Sequence, residues 1–245
     1  MTNKEHIENV IDRTFEIIKR VYDNQQEKEG LKGAGDESRI IFPKKRKKEK
    51  GGYETRISEQ ELRFVFVEQL NNEIKGIGDN GKHGEKWNVY YSVETPTEDR
   101  YYFKDIPPHR CDETEIQGQS ANFDLVIHDS NFRRIALIEF KANNPDIHDY
   151  QKDFVKLTNI KENDNCKEEP ALRYFIQLLQ NTKTGKDEKT DTMLNIEKKK
   201  INSNNEVLWK NYWGPEIFLY RCYSLEKGMR AFNKEDVIRK EYANK

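Results

Sequence analysis

The chain has few cysteines, no long apolar run and no surplus of charge of either sign. Its three cysteines, Cys111, Cys166 and Cys222, are widely spaced and form no CxxC. That argues against a disulfide framework and a thiolate zinc site, and it fits a reducing compartment. No stretch approaches the roughly 18 apolar residues of a membrane-spanning helix. The start, MTNKEHIENVIDR, brings acids early where a signal segment would be apolar. The expectation is a cytoplasmic protein with no membrane partner. Formal net charge is −1, from 43 basic and 44 acidic residues, so attraction to nucleic acid has to come from local patches. Apolar residues are also scarce: 34% hydrophobic against 36% charged, with a mean hydropathy of −1.05. Much of the 245-residue chain must then be surface, loop or tail around one domain-sized core.

What is present falls into three stretches. Residues 1–23 read as an amphipathic N-terminal helix, because Ile7, Val10, Ile11, Phe15, Ile18 and Tyr22 recur at three- and four-residue steps. Residues 24–56 are polar, with glycines at 30, 33, 35, 51 and 52 and the basic run KKRKK at 44–48, and read as a linker. Residues 57–245 read as the main domain. Its first helix lies in ISEQELRFVFVEQL, where Ser58 and Glu61 have capping-box spacing and Leu62, Val65, Phe66 and Leu70 form the apolar stripe. Glu61 and Glu68, seven apart, share the edge of that stripe.

Strand-like runs come next: 87–94 and 100–106 separated by a TPTED turn, then 122–129 and 133–142 joined by a short turn. Residues 146–158 read as a helix, with 173–179 and 216–225 as further strands. A helix is weakly indicated at 187–200. This order predicts an α/β domain with a mixed central sheet flanked by helices.

The strand RRIALIEFKA holds the chemistry. Ile135, Leu137, Glu139 and Lys141 alternate onto one face, apolar at first and charged at the end. If the preceding hairpin centres between Asn131 and Phe132, Asp124 lies opposite Glu139 with Cβ atoms roughly 5 Å apart. Two carboxylates that close call for a cation, and Mg²⁺ commonly binds through one or two carboxylates plus a phosphate. Lys141 can serve an attacking water or stabilise charge on the phosphate.

Asp124 followed by Glu139-Phe140-Lys141 resembles the signature of the PD-(D/E)XK nuclease superfamily, over roughly residues 57–180. Phe123 stands where the family name has Pro. The resemblance implies a restriction-endonuclease-like fold and a Mg²⁺-dependent nuclease cutting DNA in restriction, defence or repair. Mn²⁺ is a workable substitute and RNA is left open. It implies Asp124 and Glu139 as metal ligands and Lys141 as the residue assisting the water. A helix-borne acid joins them, Glu61 first and Glu68 or Glu59 behind it. Cutting both strands would favour a homodimer. The alternative is a non-catalytic nucleic-acid or protein interaction module on the same fold.

For several residues a plainer reading stands beside the functional one. Glu139 and Lys141 can simply pair at a solvated strand end, and Glu61 is explained by capping alone. Asp153 and Lys156 can pair on a solvated helix face. His148, Gln151 and Lys152 can approach phosphates or face water, and His128 reads as a surface residue. The KKRKK run is a mobile basic loop or a contact to DNA backbone.

Overall fold

A computed structural model describes residues 1–26, 38, 40–46, 53–55, 58–77, 84–104, 108–111, 118–142, 147–163, 170–180, 217–224 and 238–242. The helix read at 187–200, Cys166, Lys198 to Lys200, Trp209 and Trp213 lie outside the described residues.

Helix α1 (Asn3–Gln26) leads to a short ribbon of β1 (Lys44–Arg46) and β2 (Tyr53–Thr55), and then to α2 (Glu59–Lys75). Strands β3 (Tyr90–Tyr102), β4 (His109–Arg110), β5 (Gln119–His128) and β6 (Arg134–Ala142) follow. After α3 (Ile147–Thr158) and a 3₁₀ turn (Ile160–Asn163) come β7 (Leu172–Gln180), β8 (Ile217–Ser224) and β9 (Ile238–Tyr242). Strands β3 to β9 form one mixed sheet in the order β4-β3-β5-β6-β7-β8-β9. The β3-β5-β6 part is antiparallel and β6-β7-β8 parallel. The parallel step needs a crossover, and α3 provides it. The α/β reading therefore stands. No helix among the described residues is long and apolar enough to cross a membrane.

Strand β6 explains the layering. Ala136 through Phe140 are all buried, so both faces of the strand are covered, as in a central strand. Ala136, Ile138 and Phe140 join Leu125, Ile127, Tyr174 and Ile176 in a core shared with α1 and α2. Leu137 joins Val126 and Phe175 in a smaller core with Leu157 of α3. Helices thus cover both sides of the sheet.

Three sequence expectations change. First, α1 is part of the core: Ile7, Val10, Ile11, Ile18 and Val21 are fully buried beside Leu62, Val65 and Phe66. Second, the 24–56 stretch is anchored to the main domain at Ser38 and Phe42. Phe42 is buried in the main core and Lys44–Arg46, the start of the basic run, is a strand. Third, TPTED is not a hairpin turn but an irregularity inside one long strand, between Pro96 and Arg100. Pro96 is tolerated because β4 pairs only with Tyr101 and Tyr102, leaving the rest of β3 as an edge. Side chains take over from the interrupted ladder: Thr97 Oγ1 accepts the Ala121 N–H at 3.0 Å and donates to the Asp99 carbonyl at 2.8 Å. Glu162 of the 3₁₀ turn accepts the N–H groups of Glu98 and Asp99 and the Tyr101 hydroxyl. Backbone donors at a bulge need such partners. Strands β4 and β9 carried no reading in the sequence.

Candidate active site

Away from the turn the β5–β6 register is the anticipated one, while an irregularity between Ile127 and His128 shifts the pairing at the turn itself. Leu125 pairs with Ile138 and Val126 with Leu137, which extrapolates to Asp124 opposite Glu139. Backbone pairing stops at Leu125. Beyond it, Asp124 Oδ2 accepts the N–H of Phe140 at 2.7 Å, so a side chain closes the seam where the two strands part. Its other oxygen, Oδ1, is held by Arg63 of α2, which also binds Glu94 and lies 3.5 Å from Glu59.

Glu139 is 1% exposed. Its Oε1 lies 2.5 Å from Lys156 Nζ of α3, forming a buried ion pair. Lys156 also reaches Asp153 at 3.0 Å and donates to the Asn122 carbonyl at 2.7 Å. Lys141 sits between the helices, 2.5 Å from Asp153 of α3 and 3.4 Å from Glu59 of α2. Four carboxylates (Glu59, Asp124, Glu139, Asp153) therefore interleave with three cations (Arg63, Lys141, Lys156). Gln177 of β7, also buried, pairs in register with Lys141.

Electrostatics sorts these groups. Burial pushes Glu139 well above the usual carboxylate range; Asp153 and Asp124 add to the rise and Lys156 opposes it. Burial likewise raises Asp124, against the Phe140 N–H and Arg63, and raises Glu59, against Lys141. Desolvation acts downward on Lys141, but Asp153, Glu59 and Asp124 outweigh it and the ammonium is held above its ordinary value. Lys141 therefore stays a cation at neutral pH. An ammonium in that position is suited to stabilising nearby negative charge.

Of the first-turn acids of α2, Glu59 and Glu61, it is Glu59 that lies beside Lys141. On an α-helix two residues subtend about 200°, so the two carboxylates point to different sides. Glu59 precedes Leu62 by three and Phe66 by seven, and Phe66 packs edge-on against Phe140 of β6. Glu61 Oε2 is buried without a hydrogen-bond partner among the described residues. Nor does the capping box form: Ser58 occupies the N-cap position, but its side chain makes no cap hydrogen bond. Glu68 accepts a bond from Ser38 at 2.6 Å, turned toward the segment before β1.

Asp153 and Lys156 carry more than the solvated pairing that their spacing suggests. They do pair, but both are buried. Asp153 lies four residues before Leu157, and Leu157 lies in the core, so the two share the covered face of α3. Lys152 pairs with Asp149 on an exposed face. His128 bonds Ser92 and the Phe132 carbonyl at the β5–β6 turn, and the side chain of His148 lies outside the described residues.

Comparison with protein-family models, curated proteins and solved structures finds no match. The functional reading rests on the chain itself.

Proposed function

We propose that the chain is a metal-dependent nuclease hydrolysing DNA phosphodiesters, built on a restriction-endonuclease-like sheet. One observation carries the reading. Asp124, Glu139 and Glu59 come from three separate elements into a cluster with the Lys141 ammonium, where burial disfavours their charged forms. Such a set of hard oxygen donors suits Mg²⁺ or Mn²⁺. Among the described residues no group of three or more His, Cys, Asp or Glu side chains is placed to hold a metal ion. Magnesium needs fewer protein ligands, because it keeps waters and takes a substrate phosphate as ligand.

In this reading Asp124 and Glu139 hold the metal. A divalent ion there would supply Lewis-acid activation of water and phosphate. Glu59 is the carboxylate in reach to complete the ligand set or accept the water's proton, since burial increases its basicity. Lys141 faces the developing negative charge. Asp153 holds Lys141 and Lys156 in place from α3.

The test is conversion of supercoiled plasmid to nicked or linear DNA with Mg²⁺, with Mn²⁺ and with chelator. Asp124→Asn, Glu139→Gln and Lys141→Ala should each lose about a hundredfold or more in rate. Wild-type activity in those variants, or undiminished cleavage in chelator, sinks the reading. Sizing of the active species on a two-strand substrate tests the homodimer.

The interaction-module reading has one observation in its favour. Arg63, Lys156 and Lys141 already neutralise Asp124, Glu139 and Asp153 from within the chain. DNA binding in chelator with no cleavage under any metal would select it.

A further inference from the structure

Neighbouring strands β3, β5 and β6 each bring an acid into one row. Val93 pairs with Leu125 and Thr95 with Phe123, so Glu94 of β3 falls opposite Asp124 of β5, with Glu139 of β6 beyond it. The row departs from strand geometry at Glu94, whose φ of 48° lies in the left-handed region that a residue with a Cβ rarely takes. Strain of that kind persists only where surrounding contacts hold it, and it gathers at functional sites. The contact here is Arg63 of α2, whose Nη1 donates to Glu94 Oε1.

Rival carboxylates share this one guanidinium. Its Nη2 donates to Asp124 Oδ1 and lies 3.5 Å from Glu59 Oε1, while its Nε is buried with no hydrogen-bond partner among the described residues. Asp124 Oδ2 is committed to the Phe140 N–H at 2.7 Å. Oδ1 is therefore the oxygen left to a metal ion, and a cation of the chain already holds it. A metal about 2.1 Å from Oδ1 and a guanidinium nitrogen about 2.9 Å from the same atom would stand within about 5 Å of each other, where like charges repel. Glu94 is free of that conflict. It is the outermost acid of the row, with its side chain more than half exposed, and it grips the other prong of the fork.

We propose that Arg63 is a built-in counter-ion that exchanges with the divalent metal. Without metal it neutralises Asp124 and Glu59, so the fold assembles with these acids paired. When the metal loads, Arg63 leaves Asp124 Oδ1 and is retained by Glu94, which thereby sets how readily the site fills. Two cations competing for one oxygen are coupled, and the coupling is reciprocal: whatever weakens the hold of Arg63 on Asp124 tightens metal binding. The exchange rests on Asp124 as a metal ligand, taken from the nuclease reading, and not on what the site cleaves.

The experiment is calorimetric titration of the full chain with Mn²⁺, without DNA, beside thermal melts in chelator and in Ca²⁺. Arg63→Gln should bind Mn²⁺ about tenfold tighter than wild type, and Glu94→Gln about fivefold more weakly, because the released guanidinium has lost its second partner. Added to Arg63→Gln, the Glu94→Gln change should have little further effect, since no cation is left to retain. Arg133→Gln removes a cation at the turn end of the same hairpin and should leave the affinity within about twofold. In chelator Arg63→Gln should melt below wild type, and Ca²⁺ should raise its melting temperature by more than it raises that of wild type. Should Arg63→Gln fold only with metal, Glu94→Gln carries the test. Unchanged Mn²⁺ affinity in Arg63→Gln or in Glu94→Gln overturns the inference. So do additive effects in the double variant, an equal shift in Arg133→Gln, or no binding by wild type and Arg63→Gln alike. Mn²⁺ binding that depends on Arg63 without any DNA cleavage leaves the counter-ion standing and removes the nuclease. Metal-dependent cleavage with an affinity indifferent to Arg63 does the reverse.

Discussion

Glu139 is a carboxylate placed where the fold alone would favour a neutral group. Its folded value is raised, so the native state binds its proton more tightly than the unfolded chain does. Stability from that proton is complete below the ordinary value of 4.5 and is lost as pH climbs through the folded value. Glu139→Gln should therefore gain stability relative to wild type as pH rises from about 4 to about 8, while cleavage is lost. Thermal melts across pH check the sign, and a variant that loses ground to wild type over that range refutes it. The same raised acids predict that kcat/KM rises with pH above the ordinary carboxylate range, and that more metal moves this limb to lower pH. Glu59→Gln should cost about a hundredfold in rate and Glu61→Gln less than about twofold, which separates the two acids directly.

Residues of this kind were legible where period-two alternation fixes the face, as at Asp124, Glu139 and Lys141. The register beside Asp124 came out as anticipated, although a shift between Ile127 and His128 moves the turn itself off the expected centre. The placement of Glu59 beside Lys141 was obscured because Glu59 and Glu61 both lie in the first turn of α2, and capping-box spacing drew the reading to Glu61. Asp153 and Lys156 were obscured for a related reason. Spacing of i,i+3 fits an exposed pair as well as a buried one, and only the contact of Leu157 with the sheet decides between them.

Between elements, the ties across the sheet carry the testable energetics. Lys156 belongs to α3 and its partner Glu139 to β6, so one ion pair fastens the crossover helix over the strand that bears the motif. Lys156→Met removes the cation and leaves a buried carboxylate exposed to its full desolvation cost, about 3–5 kcal/mol. Adding Glu139→Gln to that variant should recover most of the loss, a coupling that chemical denaturation of both single variants and the double resolves. The β3 irregularity offers a second case. Thr97→Val deletes the bonds to Ala121 and Asp99 and should cost about 1–3 kcal/mol by the same measurement. That strand was misread because Pro and Thr-Glu-Asp mark a turn in local sequence. What keeps the chain extended there is remote: Glu162, more than sixty residues on, takes the freed backbone donors.

For the whole molecule, a composition poor in apolar residues forces economy. α1 was legible as amphipathic, but its burial partner was not, because periodicity shows which face is apolar and not what covers it. The structure supplies the partner: Ile7, Val10, Ile11, Ile18 and Val21 are fully buried against α2 and the sheet. Five such side chains at about 1.5–3 kcal/mol each rival the entire stability of a typical domain, about 5–15 kcal/mol. A chain lacking residues 1–26 should therefore fail to give a cooperative melt. A truncated protein that unfolds with wild-type cooperativity would show the helix to be an accessory.

The carboxylate that completes the β5–β6 seam has an implication for descent. Asp124 takes the Phe140 N–H as well as facing the cluster, so under the proposed nuclease reading two selective pressures would meet on one side chain. A relative without catalysis would still be penalised for replacing Asp124 with alanine, and much less for asparagine, whose amide oxygen can receive the same proton. Retention of an acceptor at this position in other lineages would accordingly record the integrity of the hairpin. Evidence of an active enzyme is better sought in whether Glu139 and Glu59 persist beside it.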